Sequence, residues 1–207
     1  MISNKLQIQF DDIAKILNEV GERVEGNLVC DVSSDNVLIT ENSEKIHNIQ
    51  YLAKNKTKIC EIGVNAGHSL LIMLEQNSTA HYQLFDLGHH RYTRPCLEYI
   101  KTQYPHTQID IVYGDSKNTI RTHILENKKE LSSYDLIHID GGHDNLELSS
   151  DFYMCSFLNR ENGILIMDDY NFPNIKKFMD VRAAVKLIKR YQNSNLKPTN
   201  KQFIYTY

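Results

Sequence analysis

The sequence has no tryptophan, only four prolines and nine glycines among its 207 residues, and no apolar run near the ~20 residues that a membrane-spanning helix needs. Its first stretch, MISNKLQIQFDDIAKIL, lacks the unbroken apolar core of a secretory signal, so a cytoplasmic protein with no membrane partner is expected. Neither charge sign dominates. The 23 Lys and Arg against 26 Asp and Glu leave a formal net charge of −3, which gives no electrostatic case for a nucleic-acid partner. Cys30, Cys60, Cys96 and Cys155 form no CxxC pair, which excludes a zinc knuckle or dithiol redox centre and leaves free buried thiols. The remaining composition, 41% hydrophobic and 24% charged, is that of a globular chain able to bury a two- or three-layer core.

From Lys58 onward, short β-rich runs alternate with helical patterns. The runs KICEIGV (58–64), YQLFDL (82–87), IDIVYGD (109–115), YDLIHID (134–140) and GILIMDD (163–169) read as buried parallel strands. Crossover helices between them place the chain in the α/β class, with helices on both faces of a parallel sheet. The segment KKFMDVRAAVKLIKRY puts Phe178, Val181, Val185 and Ile188 on one helical face, with Lys176, Lys177, Lys186, Lys189 and Arg190 on a basic outer face. QFIYTY reads as a strand that closes a terminal hairpin. Ahead of the sheet, Phe10, Ile13, Leu17, Val20 and Val24 form one helical stripe and Ile46, Ile49 and Leu52 another. One domain is expected, with a helical cap over residues 1–56 and the core over 57–207.

CEIGVNAGHSLLIML is a strand entering a glycine-bearing turn and a helix. A dinucleotide fingerprint would need glycine at 63, 65 and 68, but Asn65 and His68 hold the last two positions, which opposes a nicotinamide oxidoreductase. The spacing Glu61-x-Gly63-x-x-x-Gly67 instead resembles motif I of the class I methyltransferases that use S-adenosylmethionine. The resemblance implies a seven-stranded Rossmann-like sheet, with Glu61 towards the methionine ammonium and Gly63, Asn65, Gly67 and Ser69 in the loop around the cofactor. It also implies Asp86 on the ribose hydroxyls and Asp115 with Ser116 near the adenine. Asp115 serves equally well as the N-cap of the next helix.

IHIDGGHDN and ILIMDDYN end adjacent strands with Asp140, Asp168 and Asp169. Three converging carboxylates repel one another unless protonated or neutralised, and a divalent cation would resolve the conflict. Oxygen ligands suit Mg²⁺ and also accept Mn²⁺ or Ca²⁺. The alternative is a turn whose acids contact the cofactor without an ion. These segments resemble the metal-dependent sugar O-methyltransferases of the macrocin O-methyltransferase type, whose relatives include rhamnosyl O-methyltransferases and proteins labelled cephalosporin hydroxylase.

That resemblance, from about Lys58 onward, implies Asp140, Asp168 and Asp169 as metal ligands, Asp140 also beside the cofactor, and His143 as general base. A sugar hydroxyl, such as one of rhamnose, is the implied acceptor; a catechol-like phenol or cofactor binding without transfer are the alternatives. Asp151 matches a further acid of the motif, as a support to the loop or a helix-surface residue. His89, His90, Arg91 and Tyr92 could line an acceptor pocket or form a polar loop; Asn171 could add an oxygen near the metal, and Tyr170 is expected to pack. Because the cap is short, acceptor recognition is left to a second subunit in a homo-oligomer or to another part of a larger glycan-modifying protein.

Overall fold

The computed structural model describes residues 2–25, 31–32, 38–39 and 43–207; Cys30 lies outside them. Helix α1 (Asn4–Val20) begins at Ser3, whose hydroxyl accepts the Leu6 N–H, and stops at Gly21 in the left-handed region. Strands β1 (Asp31–Val32) and β2 (Leu38–Ile39) pair antiparallel, a small hairpin that the helical cap pattern did not foreshadow. Helix α2 (Ser43–Ala53) buries Ile46, Ile49 and Leu52, the stripe read from the sequence.

The core alternates β3 (Lys58–Ile62), α3 (His68–Gln76), β4 (His81–Asp86), α4 (Thr93–Gln103), β5 (Ile109–Tyr113), α5 (Ser116–Glu126), β6 (Tyr134–Ile139), α6 (Asn145–Leu158) and β7 (Asn159–Met167). After α7 (Pro173–Ala184), β8 (Lys189–Arg190) and β9 (Phe203–Thr206) complete a seven-stranded sheet of order β5-β4-β3-β6-β7-β9-β8. β3 to β7 run parallel, whereas β9 is antiparallel to both β7 and β8. The fold is therefore the expected α/β, Rossmann-like, mostly parallel sheet.

Two-residue periodicity divides the sheet into two faces. Ile59, Leu136, Ile164 and Ile166 pack with Leu6, Phe10, Ile13, Ile49, Leu70 and Leu74 on the face covered by α1 to α4. Cys60, Ile62, Ile137, Ile139, Leu165 and Met167 pack with Phe152, Cys155 and Met179 on the other. Cys60, Cys96 and Cys155 are free, buried thiols, as expected.

The helix expected through Tyr191 ends at Ala184 instead. Its buried positions are Ile175 and Met179, while Val181 and Val185 are 52% and 68% exposed. Lys186 enters the left-handed region at φ 61° and turns the chain back, so that Lys189 and Arg190 form the first arm of the closing hairpin. Ile188, the last residue of the expected stripe, is buried, but in the bend that leads into β8. Among the described residues, no helix is long and apolar enough to cross a membrane.

Candidate active site

Parallel strands β3 to β6 deliver their C-terminal loops to one edge, where ligands bind in open α/β sheets. A cavity of about 560 Å³ opens there, within the range of roughly 300–1,000 Å³ usual for small-molecule sites. Ile62, Phe85 and Leu87 give it apolar wall, and six carboxylates line it: Glu25, Asp86, Asp115, Asp140, Glu147 and Asp169. Among the described residues no Lys or Arg belongs to that lining, though Lys117 Nζ, outside it, lies 3.4 Å from both Asp115 and Glu147. Such a cavity favours a positively charged ligand and opposes a pyrophosphate.

Gly63 adopts φ 83°, and a Cβ there would lie 2.0 Å from the Asp140 carbonyl oxygen. The first loop and the β6 loop touch backbone to backbone at this point, which only glycine permits. Gly63→Ala is therefore expected to cost about 3 kcal/mol or more, or a Tm loss of roughly 6–12 °C by thermal denaturation. Asp86 organises the same loop: its Oδ2 accepts the Val64 and Asn65 N–H groups at 2.8 Å each, and its Oδ1 accepts Gly88 N–H at 2.7 Å. Asn65, at φ 54°, accepts from the Tyr92 hydroxyl at 2.6 Å.

Of the residues expected around the cofactor, Gly63, Asn65, Asp86, Asp115, Ser116 and Asp140 line this cavity. Asp115 also N-caps α5 by accepting the Lys117 N–H. Glu61, Gly67 and Ser69 stand outside the lining. Gly67 starts α3, with Ile100 where a Cβ would go. Ser69 donates to Glu61 Oε1, which also meets His138 Nδ1 at 2.9 Å, while Glu61 Oε2 is buried without a partner. His89 and His90 line the cavity, Tyr92 is buried, and Arg91 and Asn171 are exposed. Glu22, just past α1, accepts from His90 Nδ1 and Arg91 N–H, which docks the segment carrying Glu25 against the cavity rim. Tyr170 packs, with its ring 5.0 Å from that of Phe203.

Strand parity separates the acidic trio. Asp140 and Asp168 continue the face of His138 and Ile166, beneath α2, whereas Asp169 is one residue out of step, at φ 53°. Asp169 Oδ2 instead meets His143 Nε2 at 3.0 Å, and this hydrogen bond raises the imidazole pKa despite partial burial. The His143 ring lies 4.7 Å from that of Phe172 and its side chain is 39% exposed at the cavity rim.

Asp168 is claimed from two sides. Lys45 Nζ, from α2, lies 2.6 Å from Asp168 Oδ2 with both side chains buried, and His138 Nε2 approaches the same oxygen at 3.3 Å. Burial alone would discharge these groups, but the hydrogen bonds to Asp168 and Glu61 lift His138 to about 10, and the nearby carboxylates keep the Lys45 pKa raised. Lys45 and His138 likewise hold Asp168 below the usual carboxylate range, while burial and Asp168 drive Asp140 above it. Neither Lys45 nor His138 was singled out from sequence. A lysine on an amphipathic helix carries no signal, but a histidine inside the central strand YDLIHID was a legible one, since a buried imidazole requires partners.

His138, Asp140 and Asp168 bring ligand atoms within 4.8 Å of one another, compact enough for an ion. The residues nevertheless do not fit one. Both His138 nitrogens are on carboxylates, Lys45 holds the Asp168 oxygen, and Asp169 is paired with His143. Charges of +1 and +2 about 4 Å apart repel by about 8 kcal/mol at an effective dielectric of ~20, so ammonium and divalent ion exclude one another.

Asp151 is buried against Gly141, and burial pushes its carboxyl up to about 6 despite the Ser116 hydroxyl alongside. A carboxyl whose folded pKa is raised is stabilised below its unfolded value of about 3.9, and that stability is lost as pH rises through about 6. Asp151→Asn removes this loss, so the variant should gain about 2 kcal/mol on wild type between pH 4 and pH 7, as read by urea denaturation at both values.

The family described as "Methyltransferase domain" matches residues 60–170, more than half of the chain. The chain belongs to that family. No curated protein matches it in sequence. Among solved structures, the fold of this methyltransferase-domain chain is similar to a methyltransferase of Podospora anserina bound to S-adenosylhomocysteine (TM-score 0.66, 13% identity, 100% of this chain and 88% of that one). It is also similar to the O-methyltransferase TomG from Streptomyces achromogenes in complex with S-adenosylmethionine (0.64, 13%, 99% and 89%). A third is CalS11, a TDP-rhamnose 3'-O-methyltransferase (0.61, 12%, 99% and 95%).

Proposed function

We propose that this protein is an S-adenosylmethionine-dependent O-methyltransferase whose acceptor is a sugar hydroxyl, with rhamnose or another deoxysugar as the preferred class. The observation that carries the cofactor reading is the acid-lined cavity at the strand ends of a methyltransferase domain. A cofactor bearing an ammonium and a sulfonium suits such a lining. Cofactor-bound neighbours of the same fold support it. When bound, S-adenosylmethionine supplies a methyl group that an oxygen nucleophile can displace from sulfur.

Asp86 has three of its about four acceptor sites on backbone N–H groups, which leaves one site, on Oδ1, for a ribose hydroxyl. Ile62, Phe85 and Leu87 offer apolar surface for a base, with Asp115 and Ser116 at its polar edge. His143 is the group placed to take the hydroxyl proton. With Nε2 on Asp169, Nδ1 is left as the basic nitrogen, and the carboxylate stabilises the imidazolium that results. His143 would accept the proton that the acceptor hydroxyl gives up when the bound cofactor's methyl group is transferred to its oxygen. The sugar reading is supported by the histidine base and by the rhamnose-directed neighbour of the same fold.

The experiment is calorimetric titration with S-adenosylhomocysteine, followed by transfer assays on nucleotide-linked and glycosidic deoxysugars beside a catechol panel. Micromolar binding with turnover on sugars is expected. Turnover on catechols alone would overturn the acceptor class, and absence of binding would overturn the cofactor.

A further inference from the structure

The buried layer behind the cavity holds a continuous series of ionic groups. Lys45 meets Asp168, Asp168 meets His138, and His138 meets Glu61, which also accepts from Ser69. Asp140 adjoins this series, and one of its oxygens is buried without a partner. Side chains on β3, β6 and α2 and just past β6 and β7 thus converge below the cavity floor, and the Lys45 side chain that brings the ammonium there is 2% exposed. A lysine so completely withdrawn from water persists only where carboxylates compensate it. Here the compensating carboxylates are the ones that a divalent ion would have used.

We infer that the Lys45 ammonium occupies the cation position of this site, so that methyl transfer by this chain has no divalent-metal requirement. Lys45 acts as a positioning residue. By neutralising Asp168 it anchors the end of β7, and hence holds the neighbouring Asp169 where it orients His143. The ammonium from α2 pairs with Asp168 at 2.6 Å, while Asp169 pairs with His143 at 3.0 Å. The activity arm rests on the methyltransferase reading, and the metal-binding arm does not.

The test is titration of the full chain with Mn²⁺ alone, followed by the electron paramagnetic resonance of free Mn²⁺, on wild type, Lys45→Met and Lys45→Arg. Wild type and Lys45→Arg are expected to bind no Mn²⁺ tighter than about millimolar, and wild-type turnover should change less than about twofold after exhaustive chelation. Lys45→Met should gain one Mn²⁺ per chain at least about tenfold more tightly, and adding Asp168→Asn should remove it. A folded Lys45→Met that gains no Mn²⁺ overturns the inference. So does wild type binding one Mn²⁺ at micromolar level through Asp168, or losing turnover on chelation; these last two decide the matter even where Lys45→Met does not fold. Failure of wild type to bind S-adenosylhomocysteine would sink the functional reading but leave the Mn²⁺ result standing.

Discussion

His143→Ala should leave the affinity for S-adenosylhomocysteine within about twofold of wild type and lower kcat by roughly 10²- to 10⁴-fold, the span that a positioned general base contributes. The expectation follows from placement. The ring is at the rim, with Nε2 held by Asp169 at 3.0 Å and one flank against Phe172, so its removal deletes a proton acceptor without touching the loop built by Gly63 and Asp86. Asp169→Asn should cost less, about 10-fold or more in kcat, because the ring stays but the charge that stabilises the imidazolium is gone. Single-turnover methyl transfer with matched calorimetry separates the two quantities. Retention of more than about a tenth of wild-type kcat by His143→Ala would remove the histidine from the proton-transfer step.

Asp86→Ala is expected to weaken S-adenosylhomocysteine binding by about 100-fold or more and to lower Tm as well. Three backbone N–H groups, those of Val64, Asn65 and Gly88, lose their acceptor at once, and each unsatisfied donor costs about 1–3 kcal/mol when buried. Partial exposure of the site reduces that figure, since water can replace some of the bonds. Asp86→Asn keeps one oxygen for the Val64 and Asn65 pair and should fall between wild type and alanine. Isothermal titration of both variants is the check. Affinity within about fivefold of wild type for Asp86→Ala would mean that the carboxylate braces the loop without meeting the ribose.

Much of the fold was legible because its signals are local. Each of the five parallel strands is a short β-rich run, and Asp86, Asp115 and Asp140 end or follow strands in the sequence as they do in space. The error at the end of α7 has the opposite origin. Ile188 keeps the helical spacing in sequence, and the left-handed turn at Lys186 that takes it out of the helix is a backbone event, with no glycine to mark it. Glu61 is expected towards the cofactor because Glu61-x-Gly63-x-x-x-Gly67 resembles motif I. Its partner His138 lies 77 residues away, and only the β3–β6 register of Glu61 with His138 brings them together.

Strand periodicity already contained the division of the acids, since residues 168 and 169 must face opposite sides of a β7-like strand while 140 keeps the parity of 138. The amino-acid sequence by itself therefore determined the alternating α/β architecture, the edge at which the ligand-facing residues collect, and a local excess of carboxylate there. What neutralises that excess was decided only by tertiary structure. Lys45 is separated from Asp168 by more than half the chain, and a surface-type residue on an amphipathic helix becomes a buried counter-ion only once α2 docks over β6 and β7. Coulombic compensation is a property of distance in space, and sequence order carries almost none of it.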